Sequence, residues 1–458
     1  MKMNKLVVAM FAAGVMAAPL AHATNGMLME GYGPISTGMG GASMAFDNGA
    51  AAMANNPATL GLMADGTSRL DVAVGGLHPS VTSKMAGMPD ANSGGKSYFM
   101  PAGGWVKKDG ALAYGIGVFA QGGMGTEYTV NDWVSAGAGP SRSEVGVGNL
   151  IVPLSYNVTP DLNIAGSLDF VWGGMDLQMA MSAGQMGALA AGGNLTATGA
   201  GAAGLPFFLG GATNVGYFNF TDGSSFSGKA NSTGFAGKLG MTYKVNPQLT
   251  VGATYHSKTS LGDMSTSGAQ MSLIDNAGTM GPAGTTYTLN GTVSIVNFQF
   301  PETYGIGMAL QASDDLMVAV DYKRIGWAKV MKNFQMTFSS TDMGGIFMDM
   351  KMPQNWVDQD VFNIGLAYRT SPELTLRAGA NLANNPVPES TVNPLFPAIV
   401  KDHFTVGAGY TLSKVAEVNA SLVYVPKVTT NTPAAGTTPA YSIVHSQLNW
   451  QLMYSHSF

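Results

Sequence analysis

The chain has 458 residues, a formal net charge of −5 and no cysteine. Charged residues make up 11% of it and glycine occupies 62 positions, against about 25% charged and about 7% glycine in soluble domains; an ordinary cytosolic enzyme is disfavoured. The acidic balance, with no basic run longer than a pair such as Lys107-Lys108, leaves no footprint for nucleic acid, and without cysteine neither disulfides nor thiolate metal sites can staple the fold.

Residues 1–23 read as a leader peptide. Lys2 and Lys5 form a basic start, residues 6–18 an apolar run, and Ala21-His22-Ala23 a small-residue cleavage signature. The run is shorter than the roughly 20 apolar residues of a membrane-spanning helix, so the expectation is an exported protein whose mature chain begins at Thr24. Residues 24–66 show no strand periodicity. This stretch of Gly, Ala, Met and Asn cannot bury enough surface to build a core of its own and needs a container. The expectation is a plug, or hatch, inside a β-barrel formed by residues 67–458.

From Arg69 onward, apolar residues recur at every second position, the period of a strand with one apolar and one polar face. Leu162, Ile164, Leu168, Phe170 and Trp172 alternate with Asn163, Ser167 and Asp169; Leu249, Val251, Ala253 and Tyr255 with Thr250, Thr254 and His256; Phe362, Ile364, Leu366 and Tyr368 with Asn363 and Arg369. Phe404, Val406, Ala408 and Tyr410 repeat the pattern. The connections alternate too. Tight turns are expected at residues 159–161, 246–248, 313–315, 371–373 and 412–414, and long loops at 175–229, 259–296, 331–358 and 384–401. Short turns at one end and long loops at the other are the outer-membrane barrel arrangement, with the turns periplasmic. The count is about fourteen strands, an even number, and closure is required because an open sheet edge in hydrocarbon leaves backbone groups unpaired.

In the final strand Leu448, Trp450, Leu452, Tyr454, His456 and Phe458 face one way, while Gln447, Asn449, Gln451, Ser455 and Ser457 suit a polar lumen. A terminal aromatic on such a strand resembles the signal read by the barrel-insertion machinery. Trp105, Tyr156, Trp172, Tyr243, Tyr255, Tyr322, Trp327, Tyr368, Tyr410 and Tyr424 are expected in aromatic girdles at the membrane surfaces.

Asn25-Gly26, Gly31-Tyr32-Gly33, Gly38-Met39-Gly40-Gly41-Ala42, Ala45 and Asn56-Pro57-Ala58, then residues 117–128 and Asn385-Pro386-Val387-Pro388, resemble motifs of the long-chain fatty acid transport (FadL) family, which includes toluene and xylene uptake channels. The resemblance spans essentially the whole mature chain, with the hatch motif the most specific part. It implies a fourteen-stranded transmembrane antiparallel barrel with an amino-terminal hatch, an external apolar groove, a deeper pocket and a lateral wall opening at a kinked strand. On this reading Gln121, Gly122 and Gly123 form the kink and wall opening; Asn25, Gly26, Met27, Leu28, Asn56, Pro57 and Ala58 belong to the hatch. Paired glycines inside a strand independently favour a bulge or bend. The most apolar loop stretch, Leu205, Pro206, Phe207, Phe208 and Leu209, is nominated for the outer groove.

Competing chemistry finds little support. No His pair has the spacing of a helical zinc site, and no G-x-S-x-G elbow or Walker lysine is present; no metal or cofactor is expected. An outer-membrane hydrolase would need a Ser/His/Asp set brought together by the fold, and a general or structural porin is argued against by the hatch motif. The expected function is passive uptake of hydrophobic compounds, by a monomer in contact with outer-membrane lipid and lipopolysaccharide. Fatty acid and hydrocarbon remain alternatives: a carboxylate calls for a basic partner, with Lys351, Arg142 and Arg377 as candidates, whereas 31 methionines suit an adaptable apolar path.

Overall fold

The computed structural model describes residues 25–224, 228–436 and 438–458. The expected leader and the start of the mature chain at Thr24 lie outside the described residues.

The alternation in sequence becomes an inside-out barrel. Ile164, Leu168 and Phe170 point outward and are exposed, while Asn163 and Asp169 between them are buried. Phe362, Ile364, Leu366 and Tyr368 are exposed around a buried Asn363, and in the terminal strand, Tyr441–Ser457, Leu448, Leu452 and Tyr454 face outward against buried Gln447, Asn449, Gln451 and Ser455. Large apolar side chains outside and polar groups inside suit hydrocarbon as the surrounding solvent. No helix among the described residues is long and apolar enough to cross a membrane.

Closure follows from pairing at the ends of the chain. The first strand, Ser68–Leu77, pairs antiparallel with Tyr98–Asp109 on one edge and with the terminal strand on the other, from Arg69↔Ser457 to Gly76↔Trp450. The tight turns fall where the sequence puts them: Val158, Val245, Ala312 and Thr370 each donate a backbone N–H to the carbonyl four residues on, and Ser413 pairs with Ala416 across the fifth turn.

The loop assignments need correction. The one sheet holds 23 strand segments among the described residues; fourteen of them pair in a closed ring, and three of the four stretches expected as loops hold seven of the other nine. Met264–Asp275 pairs with Thr285–Val296, which pairs with Asn333–Ser340, which pairs with Ile346–Pro353. Ile346–Pro353 takes Leu195–Thr198 on its far edge, and Val215–Phe220 bridges Leu162–Ser182 to Met264–Asp275. The Ser/Thr/Gly content that suggested loops lies on exposed positions. The buried alternates are Met264, Met271 and Leu273, then Phe334, Met336 and Phe338, then Ile346, Met348 and Met350. Only residues 384–401 contain no named strand.

Residues 25–63 lie against the inward faces of the barrel strands and are mostly buried. Ser43 and Met44 donate backbone N–H groups to Asp321 at 2.7 and 3.2 Å, Gly40 N–H donates to Thr405 Oγ1 at 2.9 Å, and the Asn363 amide donates to the Gly40 carbonyl. Lys323 Nζ donates to the Glu30 and Gly41 carbonyls. The segment sits flush because the wall lacks side chains where it touches: a Cβ on Gly252 would lie 1.9 Å from the Met44 carbonyl oxygen. The polar residues that alternation turns inward are thus the groups that satisfy a segment with little regular structure.

Candidate substrate path

The strand Leu112–Tyr128 is paired unequally on its two edges. Toward Ser141–Asn157 it is paired from Leu112↔Tyr156 to Tyr128↔Ser141, with a register shift between Ala120 and Gly122 that makes Gln121 a bulge. Toward Tyr98–Asp109, pairing begins at Leu112↔Asp109 and stops at Val118↔Gly103. Beyond Val118 that edge pairs with no wall strand among the described residues until Gly94 donates to the Glu127 carbonyl. The start of the inner segment occupies the gap. Met29 N–H donates to the Gln121 carbonyl at 3.4 Å, Gly123 N–H to the Met27 carbonyl at 3.0 Å, and Leu28 bridges Gly122. Tyr32 adds its hydroxyl to the Gln121 carbonyl at 3.0 Å.

Asn25 and Leu28 close a turn through reciprocal backbone hydrogen bonds, with Gly26 at φ +67°. That turn rests on Trp327, whose ring atoms would lie 2.8 Å from a Cβ on Gly26. Trp327 packs on Trp356 and Phe300, with ring centroids 5.1 and 6.2 Å apart. It is fully buried and therefore no girdle residue, whereas Tyr156, Tyr243, Tyr368, Tyr410 and Tyr424 are exposed as a girdle requires.

Behind Met27 lies a small apolar cavity of about 20 Å³ lined by Met124, Met179, Phe298, Met331, Phe334, Met352 and Phe396, with Gln354 and Asn393. Benzene occupies an apolar cavity of about 150 Å³ in a well-studied engineered case, so a ring enters only if side chains move. Four methionines in addition to Met27 make that inexpensive. Sequence reasoning did not find these lining residues apart from Met27, because most fall in stretches read as loops. The doublet Phe298 and Phe300 beside the strand end was the available signal.

The remaining nominated residues are divided. Leu205–Gly210 forms a short helix in which Leu205 and Phe208 are buried, Phe207 is 65% exposed, Pro206 is exposed and Leu209 half-buried. Leu205 and Phe208 join the same continuous apolar cluster as Met27 and Leu28, which links the outer helix to the gap. Asn56, Pro57 and Ala58 are elsewhere: Asn56 caps the turn Pro57–Leu62 and donates to the Met44 carbonyl and to that of Met241, anchoring the segment to the wall strand Ala230–Lys244. Beneath the outer helix, Asp275 accepts backbone N–H groups from Thr279, Met280 and Gly281. Burial pushes its carboxyl up, but the bonds from Met280, Thr279 and Gly281 outweigh this and hold it at about 2.

The basic candidates do not line the cavity. Arg142 forms ion pairs with Glu127 and Glu144 and lies 3.9 Å from Asp176. Arg377 donates to Asn419 and lines a polar vestibule of about 290 Å³ beside the tight turns. Lys351 lies on Ile346–Pro353, and none of the three lines the apolar cavity.

A family model described as outer membrane protein transport protein (OMPP1/FadL/TodX) matches residues 14–450. The toluene transporter TodX of P. putida superimposes with a TM-score of 0.82 at 30% identity, covering 94% of this chain and 99% of that one. The toluene transporter TbuX of Ralstonia pickettii gives 0.76 at 31% identity with the same coverage. A Pseudomonas aeruginosa FadL homologue, at 16% identity, a TM-score of 0.70 and the same coverage, shares the fold. An uncharacterized Chlorobium limicola protein from the 5′ region of a phosphoenolpyruvate carboxykinase gene is 50% identical over 70 residues, 15% of this chain and 34% of that protein. With a closed antiparallel barrel and a family match over nearly its whole length, the chain belongs to the OMPP1/FadL/TodX family of outer-membrane transport proteins for hydrophobic compounds.

Proposed function

We propose that this protein admits neutral monoaromatic hydrocarbons by passive diffusion, with residues 24–66 acting as a hatch that keeps small polar solutes out. The observation that carries this reading is the interrupted pairing of Leu112–Tyr128 beyond Val118, where Met27–Met29 stand in for a wall strand. Solute collects on the apolar surface around Phe207, passes to the methionine-lined cavity behind Met27, and leaves sideways at Gln121–Gly123 when residues 25–28 move. Affinity along such a path follows buried apolar area, about 25 cal/mol per Å² less the cost of ordering.

Toluene-class solutes are favoured over fatty acids on two grounds. Two relatives at 30 and 31% identity are named toluene transporters, and Arg142, which sits opposite Glu127 on the strand that carries the gap, already faces three carboxylates. A carboxylate brought there would be desolvated without a free partner. The protein works as a monomer in lipid and lipopolysaccharide, inserted by the barrel machinery. Uptake of labelled toluene, oleate and a small polar solute by a deletion strain complemented with this gene tests the reading. Toluene entry alone supports it; oleate entry moves the substrate to fatty acids, and entry of the polar solute alone makes the protein a porin.

A further inference from the structure

Below the Met27–Met29 partition lies a second cavity of about 40 Å³, between the inner segment and the wall. Met29, Met100, Phe119 and Met453 give it an apolar lining, into which two polar side chains with room for a ligand intrude, Asp71 and Gln451. The Tyr32 hydroxyl, also at this cavity, is spent on the Gln121 carbonyl.

Asp71 is 2% exposed. Its Oδ2 accepts the Ala50 N–H at 2.6 Å and lies 4.0 Å from Arg69 Nε. Its Oδ1 has no partner at hydrogen-bond geometry, with the Ser455 hydroxyl as the neighbouring donor across the strand pair. A carboxylate oxygen has two acceptor sites, and leaving one empty against apolar surface is costly unless something returns a hydrogen bond. A hydrocarbon cannot do so. An aromatic ring carrying an O–H or N–H donor can, with its ring among the methionines and its donor on Oδ1.

The geometry points to a binding site for donor-bearing aromatics, phenols and anilines, in this second cavity, with Asp71 Oδ1 as the acceptor. The inference rests on the channel reading above, since the ring must first reach the barrel interior. The open volume suits a few waters, each needing about 10–15 Å³, so a ring displaces them as Met29, Met100 and Met453 rearrange.

Fluorine NMR of the purified full-length protein in detergent micelles, titrated with 4-fluorophenol and with fluorobenzene against protein-free micelles, tests this. Asp71→Asn keeps an acceptor for Ala50 but removes the charge; because charge-assisted hydrogen bonds are about twice as strong as neutral ones, 4-fluorophenol should bind about tenfold more weakly and fluorobenzene should be unchanged. Ser455→Ala removes the competing hydroxyl and should tighten 4-fluorophenol binding, an outcome that a merely structural Asp71 would not produce. Equal losses for both probes in Asp71→Asn would give Asp71 a structural role only, and wild-type binding of fluorobenzene without 4-fluorophenol would show that Oδ1 recruits no donor; either result would overturn the site. Wild-type binding of neither probe would overturn the channel reading and this site with it.

Discussion

Met27 and Gly122 are in backbone contact so close that a Cβ on Gly122 would lie 1.9 Å from the Met27 carbonyl oxygen. The wall gap is therefore closed by an inner segment that only glycine at position 122 accommodates. Gly122→Ala should expel residues 27–29 while the barrel stays closed, because the pairing toward Ser141–Asn157 is untouched. Hydrogen exchange reads this directly: the Met29 and Gly123 amides, which donate across the partition, should lose protection by at least about tenfold, the equivalent of about 1.4 kcal/mol. Unchanged protection would mean that the contact is not what holds the segment.

Gly26 meets Trp327 under a second constraint. At φ +67°, with the indole 2.8 Å from where a Cβ would stand, Gly26→Ala adds backbone strain to a steric clash, about 1–3 kcal/mol at a left-handed position. The turn Asn25–Leu28 should open while the thermal transition of the barrel shifts little. A solvent-exposure change in tryptophan fluorescence, absent in a Gly26→Ala/Trp327→Phe protein, would localise the effect.

Asp321 holds the inner segment at two N–H groups, those of Ser43 and Met44. Asp321→Ala leaves both donors buried without an acceptor, at about 1–3 kcal/mol each, and should loosen the segment from the wall. If that segment is a hatch, cells carrying the variant should become sensitive to small polar antibiotics that the wild-type barrel excludes. Equal sensitivity, with the variant inserted at normal levels, would remove the sealing role.

Asp275 supplies a pH signature for the outer loop. Its folded carboxyl, at about 2, is depressed below the usual value of about 3.9, so its contribution is present above pH 4 and is lost as pH falls through 2. The 275–285 turn should keep its amide protection at pH 4 and lose it near pH 2, and Asp275→Asn should flatten that dependence.

Much of the barrel was legible because alternation is a local signal: Asn163 and Asp169 between Ile164, Leu168 and Phe170 already state which face is wet. The pairing of Met264–Asp275 with Thr285–Val296 was less so, since its buried Met and Leu alternate with Ser, Thr and Gln, a composition shared with loops. The cavity was illegible for another reason. Met124, Phe298, Met331 and Phe396 meet only after the sheet closes, and no spacing in the chain marks a contact between residues as far apart as Met124 and Phe396. Gln121–Gly123 could be nominated through the family resemblance, with paired glycines inside a strand permitting a bend there; that Met27–Met29 fill the resulting gap is a tertiary fact. Trp327 shows the converse, since an aromatic at a strand end reads as a girdle residue until its environment is seen.

The most direct test of lateral exit is the rate of labelled toluene uptake by a Gly122→Val/Gly123→Val protein whose folding and insertion match the wild type. The account predicts a fall to the rate of the deletion strain, because β-branched side chains fill the opening that Met27–Met29 otherwise close. Uptake at the wild-type rate would contradict it and place the exit elsewhere in the barrel.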